Sequence, residues 1–356
     1  VTRPTPQKRL LPPLLDELKS AGVKADNIEI IIALGTHRYM SRAEMRDRFG
    51  VKTCGRVDVL NHAWRDPDTF CEIPAGEADG TVALNAAAAR ADTLIAVGNI
   101  VPHIWSGWGG GAKMLMPGIA SSREIGPLHA LAEDEPDLTR ISGEAETDCR
   151  RAIEDIARGA GLDFILNVVL DRDGNPAWVG AGDPVKCHRK GAEAAGRIFL
   201  RSIQEPADVV FADARPADSN YWQGVKALAH GARGVREGGT LVLVADFPGG
   251  VAPTHPEFSE HARRTAAEID ALRWEKAIRN PVIATTLKLH ATLRKRCRVI
   301  CLSEGLSAEE QQALGFTPAT DSRTAIEKAL KGTSSGATVG IISRAGCTVP
   351  TLRGER

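Results

Sequence analysis

Several features that would classify this chain at once are missing. Its 356 residues hold 45 Lys+Arg against 45 Asp+Glu. There is no basic surplus to draw a nucleic-acid backbone or an anionic membrane surface, so neither partner is expected. No apolar run approaches the ~20 residues that a membrane-crossing helix needs. The seven cysteines, at 54, 71, 149, 187, 297, 301 and 347, contain no CxxC pair. An odd, scattered set fits reduced thiols in a cytoplasmic protein rather than a disulfide frame. The common nucleotide fingerprints are absent too. Residues 107–112 before Lys113 do not supply the GxxxxGK spacing, and no GxGxxG joins a strand to a helix, which argues against a P-loop and a Rossmann site. The chain opens on Val1 followed directly by Thr2-Arg3-Pro4-Thr5-Pro6, which reads as the middle of a longer protein.

What is present is a dense stretch from Gly98 to His129. An apolar run ends in Gly98-Asn99-Ile100-Val101 and delivers Pro102-His103. The turn Gly107-Trp108-Gly109-Gly110-Gly111 leads to Lys113, then Pro117-Gly118-Ile119-Ala120, then His129. Glycine at this density lets backbone come close to a bound group. Trp105 and Trp108 are read as lining that group.

Around this stretch the chain alternates. Residues 8–21 and 41–49 have helical patterning, the second with Ser41 as N-cap, Glu44 three residues on and Gly50 beyond the end. Ile28–Leu34, 56–60, 81–85 and 93–97 are short apolar runs of the kind found in buried strands. The first leads into Gly35-Thr36-His37-Arg38, so His37, like His103, lies just past a strand end, where α/β sheets gather ligands. A helix is predicted over 148–160, a hairpin around Asp171–Asn175 and a helix over 184–200. After Gln204-Glu205-Pro206 the alternation resumes, with strands at 209–212, 239–245, 298–302 and 337–342 and helices at 219–235, 259–278, 308–314 and 324–330. The expectation is an α/β protein of two domains with mainly parallel sheets and an active-site cleft between them. Residues 1–203 would form the cofactor-binding catalytic domain, 204–345 a second α/β domain and 346–356 a tail.

The residues alone leave several chemistries open. His37, His103 and His129 could form a three-histidine zinc site with one open position, as in a hydrolase. The glycine turn could instead hold phosphate in a non-catalytic nucleotide-binding module. His62, His188, His230, His255, His261 and His290 carry no motif above packing or surface roles, although His188 stands near a helix start.

Taken together, Thr2–Pro6, Gly35-Thr36-His37-Arg38, Pro102-His103, Gly109-Gly110-Gly111-Ala112-Lys113 and Pro117-Gly118-Ile119-Ala120, in this order, resemble the nickel-pincer lactate racemase family. The resemblance implies a cytoplasmic racemase or epimerase that inverts C2 of a small 2-hydroxy acid. Hydride would move to and from a nickel pincer nucleotide, a Ni(II) pyridinium-3,5-bisthiocarboxylic acid mononucleotide, through a 2-keto acid. By position, Lys113 would hold the cofactor covalently, within Gly109, Gly110, Gly111, Pro117 and Gly118. His129 would ligate nickel, a metal suited to imidazole and sulfur donors. His37 and His103 would be the acid/base pair, and Arg3 would fork onto the substrate carboxylate. Dedicated cofactor-building enzymes would be partners for loading. Asn220-Tyr221-Trp222-Gln223-Gly224-Val225-Lys226 corresponds to the family's substrate element, making Trp222, Gln223 and Lys226 substrate contacts. Lactate racemases tend to have Tyr where this chain has Trp222, which leaves the identity of the acid open, as is the oligomeric state.

Overall fold

A computed structural model describes residues 4–76 and 80–354. It is a mixed α/β structure whose chain divides into two compact units. Of the described residues, the first holds those within 4–100, 109–128 and 150–194; the second holds 101–108, 129–149 and 195–354. The glycine-rich stretch is therefore shared between them, with Lys113 in one and His103 and His129 in the other.

In the first unit the helix Gln7–Ser20 buries Leu10, Leu11 and Leu15. It continues through Pro12 and Pro13 and gives up the N–H groups those residues lack. Burial of the leucines on both sides of the prolines holds it together. Ser41 closes a capping box with Glu44 at the start of Arg42–Phe49, as its sequence signature predicts. Leu11, Ile32, Leu34, Met40 and Phe49 share one core cluster, and Leu10 joins Val168 and Leu170 in another. The sheets are small. Glu29–Ile32 pairs in parallel with Asp58–Asn61, and Phe70–Pro74 pairs antiparallel with Thr81–Asn85. Leu94–Asn99 lies parallel to Leu162–Leu170, which forms the predicted hairpin with Pro176–Gly182.

The second unit is built on a five-stranded parallel sheet in the order Thr317–Ala319, Arg298–Leu302, Val235–Val244, Ala207–Asp213, Val339–Ile342. Val209, Val242 and Ile300 pack with Ala319, Ala325 and Ala329 in its core. The helix Pro281–Arg296 has no counterpart among the predicted elements. Its signals are local, an Asn280 side chain accepting from Val282 N–H and Pro281 at the first position. The region 259–278 forms two helices, Glu257–His261 and Ala266–Trp274, the second started by a Thr265–Glu268 capping box. Within the last eleven residues, Val349–Leu352 is a strand parallel to Leu200–Ile203. Among the described residues no helix is long and apolar enough to cross a membrane.

Candidate active site

Lys113 sits in a single 3-10 turn, Gly111–Met114, and is 8% exposed. The turn is tight because side chains are missing where it touches its surroundings. A Cβ on Gly118 would lie 2.1 Å from the Met114 carbonyl and 2.8 Å from Ala33 Cβ. Gly35 N–H donates to the Gly118 carbonyl at 2.8 Å. The loop that carries His37 is thus bonded directly to the segment that follows Lys113. His37 is half-buried; its N–H donates to Leu34 O and its carbonyl accepts from Trp64 Nε1 at 2.9 Å. The first unit therefore brings together the His37 loop, Lys113, Pro117 and Gly118.

Helix Pro184–Phe199 adds a residue that the sequence reading passed over. Fully buried His188 donates from Nε2 to the Gly109 carbonyl at 2.9 Å. Burial and the charge of Arg150 hold its pKa well below the usual imidazole range, against the pull of the Gly109 bond. The only sequence signal was its place near a helix start.

In the second unit His103 lies on a two-residue hairpin, with Pro102 opposite Trp108 and His103 opposite Gly107. Gly107 has φ +65°, and a Cβ there would strike the Glu144 carbonyl at 1.7 Å. His103 is buried, and its Nδ1 accepts from the N–H groups of Trp105 and Ser106 at 3.2 and 3.3 Å. Those bonds put the proton of the neutral ring on Nε2. His129 comes from the helix Ser122–Ala130, which is not among the elements predicted from the sequence. Its ring centroid is 6.3 Å from that of His103 and 6.1 Å from that of Trp105. Four residues on, Glu133 ties this stretch to two later helices: it accepts from Thr285 Oγ1 at 2.6 Å, Lys288 Nζ at 2.7 Å and Arg273 at 3.2 Å.

Sheet topology gives the remaining side chains their setting. Strand order runs one way from Ala207–Asp213 through 235–244 and the other way to 339–342, so the carboxyl end of Ala207–Asp213 is a switch point where open α/β sheets bind ligands. The helix after that strand, Tyr221–Arg233, is capped by Asn220 and carries Trp222, Gln223 and Lys226 in its first two turns. Lys226 Nζ hydrogen-bonds Gln223 Oε1. The Trp222 ring lies against His255, with centroids 4.1 Å apart and planes 32° from parallel, and meets Phe258 edge-on at 5.6 Å. Arg3 lies outside the described residues.

No group of three His, Cys, Asp or Glu side chains among the described residues is placed to hold a metal ion.

The fold and these turns define an α/β protein with a buried lysine in a glycine-rich turn and an Asn-capped helix at a sheet switch point. Residues 1–139 match the lactate racemase N-terminal domain. Over those residues the chain is similar to the lactate racemase family. Lactate racemase of Thermoanaerobacterium thermosaccharolyticum is 33% identical over 251 residues, covering 70% of this chain and 58% of that protein. Lactate racemase of Lactiplantibacillus plantarum is 30% identical over 245 residues, covering 68% and 58%. The chain spans less than two thirds of the length of these curated relatives. The solved structure of the lactate racemase apoprotein from T. thermosaccharolyticum superposes with a TM-score of 0.87 at 28% identity, over 99% of this chain and 84% of that one. A Thermotoga maritima protein of known crystal structure shares the fold at 17% identity, with a TM-score of 0.72, over 96% and 89%.

Proposed function

We propose that this chain is a racemase or epimerase of a small 2-hydroxy acid that works with a nickel pincer nucleotide held on Lys113. The observation that carries this reading is the buried Lys113 turn bonded through Gly118 to the loop of His37. A lysine enclosed by glycine backbone suits a permanent attachment better than a solvated surface role. The donor chemistry fits as well. Lys113 offers the tethering amine and His129 an imidazole for nickel, while the soft sulfur donors would come with the cofactor. Once bound, the cofactor would supply a reversible hydride acceptor, which a protein side chain cannot be.

The chain's own part is to bind the acid and handle the hydroxyl proton. His37 and His103 take the acid/base roles, each expected to contribute about 10²–10⁴-fold. For one enantiomer one of the two, as a neutral imidazole, takes the hydroxyl proton and the other, as an imidazolium, returns one; for the other enantiomer the roles are exchanged. Arg3, Gln223 and Lys226 are assigned to the substrate carboxylate and oxygen, and Trp222 to the wall beside them. Taking the proton from oxygen while hydride leaves carbon avoids the dianion that α-proton removal would create.

The test is to produce the protein together with the cofactor-building enzymes, record its intact mass and screen 2-hydroxy acids for exchange of configuration at C2. A mass adduct on Lys113 and racemisation of one acid are expected, with both lost in Lys113→Ala. Racemisation that persists in loaded Lys113→Ala would refute the assignment.

A further inference from the structure

The geometry points to Asn167 and His188 as positioning residues for Lys113, one from the sheet and one from a helix, which together fix the turn that presents its amine. This rests on the reading of Lys113 as the cofactor-bearing lysine. The two contacts bracket a single glycine. His188 Nε2 donates to the Gly109 carbonyl at 2.9 Å, and Gly111 N–H donates to Asn167 Oδ1 at 2.9 Å. Between them Gly110 has φ +75°, and a Cβ there would lie 2.5 Å from Asn167 Oδ1. On Gly111, at φ +59°, a Cβ would lie 2.9 Å from His188 Cδ2. Both side chains thus touch backbone that only glycine lets them approach. The turn then passes directly into the lysine, whose own N–H donates to the Gly110 carbonyl at 3.2 Å.

Neither residue is explained by filling space. Asn167 is fully buried, and its Nδ2 has no hydrogen-bond partner among the described residues. A buried donor left in that state is costly, and a leucine would avoid the cost. What leucine could not supply is the acceptor for Gly111 N–H. His188 is held with equal specificity. Its Nδ1 faces Arg189 Nη1 at 3.3 Å, a donor that leaves Nε2 to carry the proton given to Gly109. Arg189 is itself fixed by a fork onto Glu154, at 2.7 and 2.9 Å. A chain of oriented polar groups therefore ends on the carbonyl of Gly109, four residues before Lys113.

The experiment reads Lys113 in the cofactor-free protein. Competitive labelling with N-hydroxysulfosuccinimide acetate across pH 7–10, analysed by peptide mass spectrometry, gives the reactivity of each lysine. In Asn167→Leu and His188→Phe the Lys113 rate should shift at least about fivefold relative to the other lysines, the factor expected when about one buried hydrogen bond is lost. His188→Gln, whose amide can still donate to Gly109, should stay within about twofold. Hydrogen exchange on the unmodified protein needs no variant and should find Gly111 N–H protected. An unchanged Lys113 rate and pH profile in both Asn167→Leu and His188→Phe, or a Gly111 amide exchanging like an open turn, would overturn the proposal. When the unmodified protein is produced with the cofactor-building enzymes, absence of an adduct overturns the cofactor reading alone, since labelling and exchange are measured without cofactor.

Discussion

The two units carry the side chains proposed to act in the reaction by different means. In the first, His37 and Lys113 lie on loops held by backbone contacts, where Gly35 bonds Gly118 and Gly118 abuts Met114. Among the described residues no sheet of that unit has more than three strands. In the second, a five-stranded parallel sheet delivers Trp222, Gln223 and Lys226 on a capped helix at its switch point. Backbone contact demands the absence of side chains, whereas a helix face can exchange them. The first design should therefore be rigid toward substitution and the second adaptable.

The largest effect should come from adding a methyl group to the first unit. In Gly118→Ala the new Cβ would meet the Met114 carbonyl at 2.1 Å, and backbone cannot swing aside as a side chain can. We expect a loss of more than about 3 kcal/mol, at the severe end for overpacking. Gly336→Ala in the second unit meets nothing within 4 Å and should change stability by less than about 0.5 kcal/mol. Urea unfolding of the two variants against the parent decides the matter, and equal midpoints would dissolve the contrast.

Acid should expose a different weakness in the second unit. Burial presses His230 and His290 down to about 3. His230 is bonded to Ala345 O and Ser142 Oγ, and His290 to Tyr221 Oη and Leu314 O. Between about pH 6.5 and 3 the unfolded chain binds protons that the folded one refuses. The stability is whole above pH 6.5 and drains as pH falls, by about 1.4 kcal/mol per pH unit for each histidine. His62 and His188 of the first unit are shifted in the same direction, so the variant comparison isolates the second unit. His230→Gln/His290→Gln should flatten the fall in urea midpoint between pH 7 and 5. A slope identical to the parent's would assign the acid sensitivity elsewhere.

What could be read in advance follows the same division. The capping box at Ser41, the hairpin at 171–175 and four of the five sheet strands after 207 were legible because their signals are local or periodic, whereas the three-residue edge strand Thr317–Ala319 was too short to show a pattern. The glycines of 107–118 were legible as close approach, but not what they approach. Gly107 meets Glu144, Gly118 meets Met114 and Gly111 meets His188, pairings that no spacing rule encodes. His188 went unassigned for that reason: its partner, Gly109, is 79 residues away. The helix Pro281–Arg296 was missed although Asn280 and Pro281 announce its start. Its buried face includes Thr285, Thr286 and His290, polar residues that obscure the apolar stripe and become burial-compatible only through partners such as Glu133 and Leu314.

The smallest effect, and the finest test of adaptability, concerns Trp222. It is half-buried against His255 and Phe258 on a helix whose backbone is held independently, with Trp222 N–H donating to Val251 O at 2.8 Å. Exchanging the indole should therefore leave the helix in place and alter only the wall it presents. Trp222→Tyr removes bulk and returns a hydroxyl, so it should shift the ratio of kcat/KM between a small and a larger 2-hydroxy acid by about tenfold, the scale of a changed contact in an apolar pocket. Thermal stability should move by less than about 1 kcal/mol. His255→Ala, which frees the indole without shortening it, should shift the same ratio less and in the same direction. If neither substitution moves the ratio, Trp222 does not face the substrate.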